Sequence, residues 1–171
     1  MSNFLHYKTL SLEVADEIAS HTVETAKLNG FSPLAVCVLD AAGVPIVIKR
    51  MDQCTGPAFV TISQHKANTC IRMKMSSRAY GDKYLPAQAT PAMMVRILSQ
   101  IHSNDGEIAS FPGGVVIKDP ETNQIIGAVG CSGAAGDEDE YCAWKGIKLS
   151  SIGNLVVTEP ANHCCTTLTS L

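Results

Sequence analysis

The chain has 171 residues, 46% hydrophobic and 17% charged, with a formal net charge of -3. That length suits a single domain able to bury most of its apolar surface without disulfide or metal staples, and no apolar run approaches a bilayer span. Scattered charges of both signs and only 5% aromatic residues argue against nucleic acid as the main partner, because binding it draws on clustered cations and stacking rings.

The first element read from the sequence is a helix from about Ser11 to Asn29. Leu12, Ala15, Ile18, Ala19, Thr22 and Ala26 share one helical face, Ser11 is placed to cap the start and Gly30 to end it. Two apolar runs follow, 33–39 and 44–48, joined by Asp40-Ala41-Ala42-Gly43, which predicts a hairpin. It exits into the charged Lys49-Arg50-Met51-Asp52. A second helix is expected from Pro57 to about Met75, with an apolar stripe of Val60, Ala67 and Ile71 and with Gln64, His65 and Lys66 mid-helix.

Residues 76–89 read as a loop with short helical pieces, and Thr90-Pro91 opens a third helix to about Ile101. The polar stretch 101–114 carries His102, Ser103, Asn104 and Asp105, then Phe111-Pro112-Gly113-Gly114. A second hairpin follows, 115–118 with 125–131, and the acids Asp137, Glu138, Asp139 and Glu140 open a last helix running to about Leu149, where they complement its dipole. The weakly patterned remainder, 150–171, reads as a tail packed on a neighbour.

The seven cysteines are scattered with no C-x-x-C pair, so a structural metal site is not expected. Residues 1–8 lack the basic start and apolar core of a signal peptide, which points to reduced, mostly buried thiols and a cytoplasmic location. The element order gives an α+β fold: an antiparallel sheet of four to five strands with helices packed on it, as one domain over 1–171 with 151–171 as a C-terminal extension. A few polar residues at the mouth of that sheet are expected to hold any ligand.

Several ordered pieces are familiar together: Val38-Leu39-Asp40-Ala41-Ala42-Gly43, Arg50-Met51-Asp52, Lys66-Ala67, Pro112-Gly113-Gly114, the run from Ile126 to Gly133, and the acidic turn 137–140 followed by Cys142-Ala143. Over roughly residues 8 to 150 the chain resembles the GlcG/HbpS family, a haem-binding-like domain also found at the C-terminus of PduO-type proteins. The resemblance implies a sheet with helices on its faces, a homo-oligomer, and a pocket near a subunit interface that holds haem in some members. The Ile101-His102-Ser103-Asn104 stretch is closest to the PduO-type branch. The chain departs from the family at His65, where a small residue is usual, and after Gly153, where it has no counterpart.

Candidate chemistry follows from both readings. His102 is a candidate haem-iron ligand or acid–base group; otherwise it is a loop histidine bonding a carbonyl. Arg50 and Lys66 are candidates to grip a carboxylate, a haem propionate or a small acid, against the reading of two solvated surface cations. Asn104 joins the ligand-binding set beside His102, and Gly113 and Gly114 bring backbone N–H groups near an anion. The acids 137–140 are explained by helix capping, with Asp139 kept as a candidate base. Three functions follow: non-covalent binding of haem or a related tetrapyrrole; an isomerase, lyase or other proton-transfer enzyme on a small organic acid or carbonyl compound, with Lys66, His102 or Asp139 moving protons; or a non-catalytic accessory subunit.

Overall fold

The computed structural model describes residues 7–158. Nine elements follow in order: α1 Leu12–Leu28, β1 Ala35–Asp40, β2 Pro45–Arg50, α2 Ala58–Met73, α3 Ser77–Tyr84, α4 Pro91–His102, β3 Gly114–Lys118, β4 Ile125–Ser132 and α5 Gly136–Leu149. The four strands form one antiparallel sheet in the order β2-β1-β4-β3, so the two hairpins meet through β1 and β4. This is the expected α+β architecture.

Strand alternation divides the core between two faces. Val36, Val38, Val115, Ile117, Val129 and Cys131 pack under α1 and α5 with Ile18, Ala19, Cys142 and Ile147. On the other face Cys37, Leu39, Val116 and Ala128 meet Ala67, Cys70 and Ile71 of α2. Helix α2 comes close because β4 has glycine beneath it: a Cβ on Gly130 would collide with the Ser63 carbonyl oxygen and lie 2.7 Å from the Ala67 nitrogen. The α1 helix is capped by the Ser11 hydroxyl, which accepts from the Val14 N–H. The first hairpin turn closes as the sequence predicts, with the Asp40 carboxylate accepting from the Ala42 and Val44 N–H groups, both at 2.8 Å.

Two places differ from the sequence reading. Residues 77–84, within the stretch expected as a loop with short helical pieces, form one eight-residue helix, α3, capped by the Ser76 hydroxyl accepting from the Ala79 N–H. Gly81 weakens its helical signal, yet a side chain there would strike the Ser110 carbonyl, so tertiary packing rather than propensity decides the residue. Secondly, residues 150–158 of the expected tail lie against their own chain. Ile152 and Val156 pack on the core of their own chain, and Val157 pairs with Lys118 on the open edge of β3 through bonds of 2.8 and 2.9 Å. The rest of that tail, with Cys164 and Cys165, lies outside the described residues, as does His6.

Candidate functional site

At one end of the sheet Arg50, Ala35 and Ser132 stand in register across β2, β1 and β4, and Gly113-Gly114 leads into β3 beside them. Lys66 reaches this end from α2 and Asp139 from the first turn of α5. Both are 2% exposed, and their charged atoms are 2.8 Å apart. The Lys66 ammonium also donates to the Cys131 carbonyl at 2.7 Å, and the second Asp139 oxygen accepts from the Ala134 N–H at 3.1 Å. Burial pushes the Asp139 carboxyl above the usual carboxylate range, against the downward pull of Lys66 and of the Ala134 N–H.

An ammonium has three N–H donors, and two of those on Lys66 are accounted for. The ammonium also lies 5.3 Å from the centre of the Phe111 ring, a cation–π contact that brings a 47%-exposed aromatic to the buried cation. Gly113 makes the closure possible. Its φ of +125° suits glycine, and a Cβ there would sit 2.7 Å from the Lys66 nitrogen. Gly114 donates its N–H to the Ser77 hydroxyl at 2.8 Å, and both glycines are buried.

The acidic turn divides its work. Glu138 accepts from the Ala135 N–H at 3.0 Å, as a helix cap should, whereas Asp137 and Glu140 both hold Arg78 of α3. Capping therefore explains one of the four acids, and the others are tied to cations on α2 and α3. Arg78 carried no signal in the sequence, because its partners lie 59 and 62 positions away.

The remaining candidates make no contact with this buried pair. Arg50 is exposed, with no hydrogen-bond or ion-pair partner among the described residues, as expected of a solvated cation. His102 is not in a loop: it closes the last turn of α4, because the Ser103 N–H still bonds the Ser99 carbonyl and the Asn104 amide bonds that of Gln100. The Asn104 carbonyl accepts from Arg72, near the C-terminus of α2 and two helical turns from Lys66. The sequence candidates thus fall into two groups, a buried one around Lys66 and an exposed one around His102. His65 is half-buried, and burial lowers its pKa.

Helix α4 holds a feature the sequence reading did not single out. Ile97 is buried, with Ile101 packed in the same cluster as Tyr80 of α3, but Met94, Val95 and Leu98 are 47%, 64% and 60% exposed. At 100° per residue Met94, Val95, Leu98 and His102 share one stripe, apolar until its last member. The five described cysteines are buried; burial pushes the Cys37 thiol up to about 12 and that of Cys131 well above its ordinary value.

The family model described as haem-degrading protein HbpS-like matches residues 10–148. The chain belongs to the HbpS-like family. Three solved structures carry the same fold. Protein ORFY of Klebsiella pneumoniae is 24% identical, with 86% of this chain and 94% of that one covered at a TM-score of 0.73. PduOC, solved as a haem complex, is 23% identical over 81% and 93% of the two chains, and HbpS is 22% identical over 85% and 92%, both at a TM-score of 0.68. No curated protein matches the chain. No helix among the described residues is long and apolar enough to cross a membrane.

Proposed function

We propose that this HbpS-like chain binds haem or a related tetrapyrrole non-covalently on the exposed face of α4, with the imidazole of His102 as an iron ligand. The observation that carries this reading is the stripe of Met94, Val95 and Leu98 ending in His102. Exposed apolar side chains in a contiguous band mark a binding surface, and a neutral imidazole at its end is a standard haem-iron donor. Three side chains fall far short of the ~800 Å² per partner of a stable protein interface, so a planar small ligand fits the stripe better than a protein does. Bound there, haem would supply iron redox and ligand chemistry, while this chain's residues supply the apolar contact and the donor. Lys66 is committed to Asp139 and Cys131, so propionate anchoring falls to exposed cations rather than to Lys66.

A haem titration of the purified chain followed by absorbance tests this. A saturable Soret shift at micromolar protein is expected, with the axial-ligand signature lost in His102→Ala and affinity lost in Leu98→Asp. The same spectrum in His102→Ala would remove that residue from the iron. The resemblance also implies self-association, for which light scattering is the direct measurement.

A second reading, a proton-transfer enzyme on a small organic acid or carbonyl compound, has one observation in its favour. Lys66 and Asp139, both candidates for moving a proton, are in contact beneath Phe111. The pair is closed to solvent, which places this reading behind the first.

A further inference from the structure

At the opposite end of the sheet, α2 stops short and leaves part of its face uncovered. A recess of about 420 Å³ remains there, lined by Lys74, Lys118, Asn123, Gln124, Ile125 and Tyr7. Lys74 is the left-handed cap of α2, at φ +60°, and Lys118 pairs with Ile125, whose side chain packs on the α2 side of the sheet. Cross-strand partners share a face, so Lys118 stands on that side too.

The charge balance is one-sided. The lining has two lysines and no carboxylate among the described residues, and neither ammonium has a partner among them. The nearby acids are occupied: Asp119 and Glu121 hold Lys8 at 3.1 and 3.3 Å, and Asp40 is turned onto the backbone of its own hairpin. Ile125 supplies an apolar wall, Tyr7 a phenol, and Asn123 and Gln124 two amides able to donate. Lys74 adds an independent sign. A left-handed residue ending a helix is usually glycine, and a lysine there bears a backbone strain that glycine would avoid.

We propose that this recess binds a small anion with a short apolar body, its charged head between Lys74 and Lys118 and its body against Ile125 and Tyr7. None of its residues belongs to α4, so it stands or falls independently of haem.

The test uses the full chain, followed by amide chemical shifts of Lys118, Asn123, Gln124 and Ile125. Benzoate, acetate and inorganic phosphate are titrated separately at constant ionic strength. Benzoate is expected to saturate these shifts more tightly than acetate, because only benzoate has a body to bury. Saturation by phosphate alone would keep the anion site and overturn the role given to the apolar wall. Lys74→Gln and Lys118→Gln should each weaken binding about tenfold, the loss of one charge-assisted contact, with Lys118→Arg restoring most of it and His102→Ala changing nothing. Linear shifts spread over all surface lysines, or binding untouched in the Lys74→Gln, Lys118→Gln double variant, would overturn the proposal.

Discussion

The two groups of candidate residues sit in opposite environments. Lys66 is buried among partners: Asp139 and Cys131 take the ammonium, Gly113 closes on it, and Phe111 lies above. On α4 an apolar stripe lies open to solvent, with His102 at its end. A buried ion pair makes a poor ligand site, because a ligand must first displace contacts that already offset the desolvation of both charges. An exposed apolar face is the reverse, as it gains free energy from whatever covers it. Residues that look most chemical in a sequence can therefore be spent on the fold.

Substitutions should pull these regions apart. The largest effect is expected at the ion pair. Asp139→Ala leaves Lys66 charged and buried, and should cost about 3–5 kcal/mol in urea unfolding. The double exchange Lys66→Met, Asp139→Leu should recover most of that, since an apolar pair of similar volume has no charge to desolvate. If Asp139→Ala unfolds at the wild-type midpoint, the pair is not structural, and the enzyme reading moves ahead.

Gly130→Ala comes next. Its Cβ would meet the Ser63 backbone, which cannot swing away as a side chain can, so about 3 kcal/mol should be lost in the same assay. On α4, Thr90→Ala removes the hydroxyl that accepts from the Met93 N–H and should cost about 1 kcal/mol. Hydrogen exchange should locate that loss in α4, with haem affinity falling alongside. Leu98→Ser should change stability by less than about 0.5 kcal/mol, as surface exchanges do, and still weaken haem binding. A Leu98→Ser protein that keeps full haem affinity would take the ligand off α4.

The smallest effect concerns pH. The Thr122 hydroxyl and Lys8 hold the Asp119 carboxyl below the usual range, and the Ser151 hydroxyl and N–H do the same for Glu17. Their folded pKa values are lowered, so their contribution is present above about pH 4, the unfolded range, and is lost as pH falls through the folded values. Urea midpoints should therefore decline from pH 5 to pH 3, less steeply in Asp119→Asn. An identical slope in that variant would remove Asp119 from the account.

The sequence by itself determined every element but α3, and with them the fold class. Periodicity, the caps Ser11 and Thr90 and the Asp40–Gly43 turn are local signals, and the structure reads them as written, to within a residue or two at most element ends. The ordered motifs fixed the family, whose model matches residues 10–148. Only the tertiary structure decided what the charged residues do. Lys66 and Asp139 are 73 positions apart, and nothing local distinguishes a lysine that will be buried from one that will be solvated. Arg78, whose acids come from α5, was invisible for the same reason. Helix α4 shows the limit from the other side: its start and length were legible, but which half packs on α3 and which faces solvent depends on where α3 and the 107–113 segment lie. Local chemistry sets what a segment can form; long-range packing sets which of its atoms remain free to act.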